Sequence, residues 1–425
     1  MTGAVSQASV AATLGVLVLS NETNAVMRGS VQKAASLDVE AKSEYPNVIA
    51  ATAAASLGAY AGVSVSLANT SSVGKMTAAI DGSASVTGVG TINVKSVSNS
   101  TANAMAATVA GGLAGVGVNV ASAINRNSAD TYIGKDASVT GAGTINVKHE
   151  SASHANTGII GLAVGAGAVQ ANTAIANNAL TTRTYVGSET GEAGTGSIAG
   201  TTLNIESSSD GAANAGVISV AGGSVGVGVN ALIVLNNVDA KTGVMGKNVD
   251  VGALNVTGTL NANATAALGA ANVGGAAIGL GVSYVGMRGS NQVILDSSNA
   301  AIKAKSITAN AKSNTLADTT MISVNAGGIA GGLNLAISDN KTVNNIHVTG
   351  KGTLTADNAL ALKATGTAQA KAALLGLAAG SFSAQGSFAT SVLRNNQSIT
   401  ADASSVKAGS LTAESELNKD GGNTS

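Results

Sequence analysis

The sequence predicts an all-β solenoid, and three observations predict it. A unit of about 53 residues recurs along the chain, long apolar stretches alternate with period two, and very small residues dominate where bulky ones are expected. Glycine occurs 55 times in 425 residues, aromatics make up 2%, Trp is absent and proline occurs once, at Pro46. A conventional core fills its volume with bulky side chains. This chain must instead bring backbones close together and pack Ala, Gly, Ser and Val between flat sheets.

The repeat is anchored on a short strand of the type Thr-Ile-Asn-Val-Lys. Its apolar anchors are Leu37, Ile92, Ile145, Leu203, Leu254, Ile307, Leu360 and Leu411, and neighbouring positions differ by 55, 53, 58, 51, 53, 53 and 51. The 58 contains an inserted polar loop, Gly187–Gly196. The chain therefore divides as one array, 1–425, with units at 37–91, 92–144, 145–202, 203–253, 254–306, 307–359 and 360–410, and partial units 1–36 and 411–425. Both ends read as the middle of a unit, so a piece of a longer array is expected.

Each unit has the same order of parts. The anchor strand is followed by an outgoing run rich in Ser, Asn and Ala, then a Gly-rich reversal at Gly111–Gly112, Gly222–Gly223, Gly274–Gly275 or Gly327–Gly328. A returning strand of small and branched residues follows. In the clearest copy, Val116, Val118, Val120, Ser122 and Ile124 share one face, and Gly115, Gly117, Asn119, Ala121 and Ala123 share the other. If the second face is uncovered, it is the candidate for partner contact. Asn69, Asn125, Asn177–Asn178, Asn236–Asn237, Asn340 and Asn395–Asn396 read as turns that end these strands, where stacked amides form a ladder. Two short β-branched strands then lead to the next anchor.

An arm of about 18 residues reaches roughly 60 Å at the strand rise. That far exceeds the mean strand, so corners inside the arm, or several smaller coils per unit, are expected alternatives. Helix is disfavoured because Gly and β-branched residues alternate through the arms. The uncharged stretch Val217–Leu235 has the length of a membrane span, but similar stretches recur in each unit and their glycines make poor helices.

The chain lacks the signs of several chemistries. Net charge is zero, charged residues are 10%, and there is no basic footprint for nucleic acid. With no Cys there is neither a disulfide nor a thiol. Of the three histidines, His149 and His154 point to opposite faces of a continuous strand, and all three read as isolated positions on a solvated face. Gly112–Gly117 mimics a phosphate loop but no helix follows. The pairs Gly74-Lys75, Gly134-Lys135, Gly246-Lys247 and Gly350-Lys351 lack the Ser or Thr of a P-loop and read as repeated turns with a solvated lysine. Carboxylates are scattered; Asp38 and Glu40 share a strand face but the pair does not recur. Calcium-binding nonapeptides and a regular Thr ladder are missing. The expectation is no enzyme, with no catalytic, cofactor-binding or metal residues and no cofactor.

Stretches such as Ala137-Ser-Val-Thr-Gly-Ala-Gly-Thr-Ile-Asn-Val-Lys148, followed by Ala/Gly/Val arms, resemble the units of large bacterial filamentous adhesins. These are the haemagglutinin-like exoproteins of Gram-negative envelopes, and the likeness is closest to the leukotoxin-type filamentous adhesins of fusobacteria and related anaerobes. It covers nearly the whole chain. It implies a long β-helical fold, an extracellular or outer-membrane-associated location, an outer-membrane secretion partner, and surfaces displayed for attachment to a host-cell receptor or glycan. The family's N-terminal secretion domain and C-terminal barrel strand have no counterpart here. Self-association through sheet faces or ends is a further expected contact, and nucleic acid is not. Two other readings stay open: a membrane-active toxin module, suggested by apolar Gly/Val arms, and a carbohydrate-active β-helix enzyme.

Overall fold

The computed structural model describes residues 2–298 and 300–418. Lys419–Ser425, within the partial unit at the end, lies outside them. The chain is all-β, and its strands form one parallel sheet wound as an open β-solenoid. The strands are β1 (Thr2–Met27), β2 (Ser30–Gln32), β3 (Ser36–Ile80), β4 (Ser85–Thr87), β5 (Thr91–Gly134), β6 (Ser138–Gly187), β7 (Ser197–Met245), β8 (Asn248–Asp296), β9 (Ala301–Thr349), β10 (Thr353–Ala379), β11 (Phe382–Ala401) and β12 (Ser405–Leu417).

Each of β3 and β5 to β9 is nearly one full coil. It runs out along arm A, reverses at a tip and returns along arm B. The two arms do not pair with each other. Each hydrogen-bonds in parallel to the same arm of the coils above and below, and their inner faces stack. Contacts across the stack mark the fold-back: Thr52 Oγ1 lies 2.7 Å from Ser66 Oγ, and Asn119 Nδ2 donates to Thr108 Oγ1 at 2.8 Å. The eight anchors from Leu37 to Leu411 fall in one column, each beside the next. One coil therefore spans one repeat, and the arms run as continuous strands, with small register shifts at Ser6/Ala8, Tyr45/Val48, Leu57/Ala61, Val139/Ala142 and Ala356/Ala359. Flat sheets persist where stacking and side-chain ladders oppose the natural twist, and this chain has both.

The interior changes along the arm. Near the base, bulky residues such as Ile92, Val94, Val139, Ile145 and Val147 form the largest cluster. The third side made by β2, β4 and the start of β6 opens the coil there. Mid-arm, alanines such as Ala102, Ala104, Ala121 and Ala123 predominate, with larger residues such as Leu232, Leu260 and Met287 among them. At the tip only Ala110, Ala163, Ala168 and Ala221 remain in the cluster. Between these zones glycine makes room for amides. A Cβ on Gly117 would sit 2.1 Å from Gln170 Oε1, and one on Gly228 would sit 2.3 Å from Asn272 Oδ1.

The tip itself is a column of glycines: Gly58, Gly112, Gly165, Gly223, Gly274, Gly327 and Gly380. A Cβ on any of the last six would lie 1.5–2.3 Å from the carbonyl oxygen of its neighbour in the preceding coil. The sequence motif of paired glycines pointed to this reversal at four coils. It missed Gly58, Gly165 and Gly380, which stand alone, although their spacing of one unit was there to be read.

Candidate interaction surface

The functional question is what the outer faces present. Charge thins out towards the tips. Residues 45–74, 96–125, 211–238, 251–287, 319–338 and 372–393 carry no Asp, Glu, Lys or Arg, and each segment is centred on a tip. The tip end of the slab is thus an uncharged fin with two outer faces.

The pattern on arm B decides which residues meet solvent. Gly115, Gly117, Asn119, Ala121 and Ala123 are buried against arm A, so the face proposed for partner contact is covered. Val116, Val118, Val120, Ser122 and Ile124 form the outer face instead. Spacing limits the contents only nearest the tip, where the columns of Gly115, Gly117 and Asn119 hold small residues and amides; further from it branched residues such as Val217, Leu232 and Val234 do sit between the arms. The same column positions in later coils expose Leu280 (43%), Leu333 (60%) and Phe388 (59%). On arm A, the outer face carries an apolar groove of about 690 Å³. Gly158, Gly216 and Ala267 lie along it and Ile160, Ile218 and Ile322 flank it.

Asparagines run in ladders, but not at turns. Asn125, Asn178, Asn236 and Asn340 sit mid-arm in one inward column, fully buried. Asn236 Nδ2 donates to the carbonyls of Gly211 and Asn263, both at 2.8 Å, and Asn125 and Asn340 make equivalent pairs of bonds. These residues brace arm B to arm A, which corrects the reading of them as strand-ending turns. A second ladder lies on the outer face near the base, where Asn93, Asn146, Asn204 and Asn255 each donate to the residue one coil back, beginning at Asp38.

His149 also departs from expectation. It does point opposite to His154, but inward, and it is fully buried rather than solvated. Its Nδ1 lies 2.6 Å from Ser96 Oγ, and its Nε2 has no protein partner. Burial lowers its pKa to about 4, against the opposing charge of Glu150. The folded chain therefore holds it neutral, while the unfolded chain titrates near 6.5. Stability from this residue is complete above pH 6.5 and is lost as pH falls towards 4, by about 3 kcal/mol in all. Denaturant titrations between pH 7 and 4 should show that loss, and His149→Ser, which matches Ser96 and Ser207 in the same column, should flatten it.

Lys247 is likewise buried, not the solvated lysine of a turn. Its Nζ donates to the carbonyls of Gly134 at 3.0 Å, Lys135 at 2.7 Å and Ala137 at 2.5 Å. Those residues belong to the coil two below, and the intervening coil swings out in the inserted loop. Burial lowers the Lys247 pKa to about 8, with Asp136 acting in the opposite sense. The loop is tied down by Thr195 on Asp136 and by Arg183, which pairs with Glu189 at 2.9 Å and Asp239 at 2.6 Å. Lys75 and Lys351 are exposed, and Gly74-Lys75 lies within arm B rather than at the base corner.

Among the described residues no three His, Cys, Asp or Glu side chains gather to hold a metal. Asp38 and Glu40 share the outer face and are exposed. A shallow polar groove does bring Glu150 and Glu206 together, with Lys148 between them at 2.9 and 3.8 Å. The Lys148 hydrogen bond holds the Glu150 carboxyl below its usual range. A glycosidase acid needs the opposite shift. Gly112–Gly117 spans a tip of the sheet, with strand on both sides.

No helix of the described residues is long and apolar enough to cross a membrane, and Val217–Leu235 lies within β7, bending through a tip. Neither a protein-family model, nor a curated protein, nor a solved structure matches the chain.

Proposed function

We propose that this chain is a structural segment of a secreted or surface-displayed bacterial filamentous adhesin, a stalk that holds binding regions away from the cell and takes no catalytic part. The observation that carries this reading is the coil-on-coil pairing, which returns to one register after each local shift. Every coil pairs with the next along nearly its whole length, and the anchors never leave their column. Such a stack grows along one axis without changing its cross-section, which is what a stalk requires. The adhesin resemblance of the units supplies the biological setting.

At a strand spacing of about 4.8 Å, the eight stacked coils measure roughly 40 Å along the axis, less than the arms are long. Head-to-tail concatemers are therefore the informative molecules. Each added copy of the array should lengthen the particle by roughly 40 Å along one axis at constant width in electron microscopy. Globular particles that grow in all directions would overturn the stalk. A membrane-active reading draws support from the uncharged fin. The sheet does not close on itself, however, and open backbone edges find no hydrogen-bond partners in lipid.

A further inference from the structure

We infer that two copies of this chain pair through the outer face of arm B at the tip end, sheet against sheet. The face is made of four neighbouring columns, those of Val116, Val118, Val120 and Ser122. Eight successive coils, from β1 to β11, contribute to it. In the columns of Val118 and Val120 the outward residues include Leu67, Val229, Leu280, Leu333 and Phe388, all exposed. At about 6.6 Å per column and 4.8 Å per coil, these columns cover roughly 1,000 Å². A standard stable interface takes about 800 Å² from each partner.

Three features select a second copy as the occupant. In-register stacking of successive coils opposes twist along the face, and one sheet face is complemented by another about 10 Å away. A twofold axis places the face on itself, so branched residues meet branched residues. The columns used carry no charge in any coil, so pairing strands no ion away from water. Arm A is the poorer candidate: its outer face is interrupted by the groove and bordered by a second amide row, in which Asn214 donates to Asn156 and Asn156 to Asn103. Pairing depends on this face alone and not on what a stalk displays.

Sedimentation equilibrium of the chain tests the inference. The wild type should be a dimer at micromolar concentration. Val229→Lys with Leu280→Lys should weaken the dimer at least 100-fold, while Ile160→Lys with Ile218→Lys on the arm A face leaves it intact. Circular dichroism checks that the sheet persists in each variant. If the lysine pair unfolds the chain, Val229→Thr with Leu280→Thr keeps the strand propensity and should still weaken the dimer about 10-fold. A monomeric wild type would overturn the inference. So would a dimer indifferent to the arm B substitutions, or a monomer that floats with neutral phosphatidylcholine vesicles.

Discussion

Gly223→Ala is expected to separate two coils at the tip and cost about 3 kcal/mol or more, while Gly222→Ala, one residue away, stays within about 0.5 kcal/mol of the parent. Neither glycine has a positive φ, so backbone strain does not distinguish them. Space does. A Cβ at position 223 would lie 1.5 Å from the Gly165 carbonyl oxygen of the preceding coil, closer than any non-bonded contact allows. A Cβ at 222 meets nothing within 4 Å, and its column neighbours are already Val164 and Val273. Because backbone cannot step aside as a side chain can, the methyl at 223 must break the pairing of the two tips. Denaturant unfolding followed by circular dichroism reads the difference directly. Equal effects of the two substitutions would remove the glycine column as the reason the tips can stack.

Asn236→Ala should be the next most damaging change, at about 3 kcal/mol. The residue is buried, bonds two arm A carbonyls, and accepts from Asn178 Nδ2 at 2.8 Å. Its loss strips two buried groups and one part-buried carbonyl of a partner and leaves a gap between the arms; each unsatisfied buried group costs about 1–3 kcal/mol, softened where water enters. Asn204→Ala is the control. Asn204 sits in an equally regular amide ladder, giving and receiving bonds of 2.9 Å, but on the outer face. Water replaces its partners there, so the change should cost below about 1 kcal/mol. The brace is not needed in every coil. Met287 takes the column after Asn236 and lies in the same apolar cluster as Leu260. Comparable midpoints for the two alanine variants would mean that the inner amides carry no more than the outer ones.

The winding was legible because duplication is legible. Leu37 through Leu411 could be aligned by subtraction alone, and period-two alternation in Val116–Ile124 gave strand. What could not be read was which side of that alternation faces inward. Hydrophobicity favours the valines inside. The structure turns them out, because the interior near the tip has room only for Gly, Ala and amides that fit between glycines, as Gln170 fits opposite Gly117. That fit is between coils, and a single unit does not display it. The same limit explains Asn236 and His149. Both are polar residues in a Ser- and Asn-rich run, and their burial depends on what the facing arm offers. Lys247 depends on more still, a loop inserted one coil earlier.

The register has a consequence for how such a chain comes to be folded. Each strand pairing joins residues about one unit apart, and no strand reaches past its immediate neighbour in the stack. Loop closure is therefore the same modest step each time, whatever the total length. The first coil is the costly nucleus; every later one lays itself on a finished edge that already presents the right donors and acceptors. A chain delivered end first can fold in the order it arrives, and lengthening the array adds steps without making any step harder.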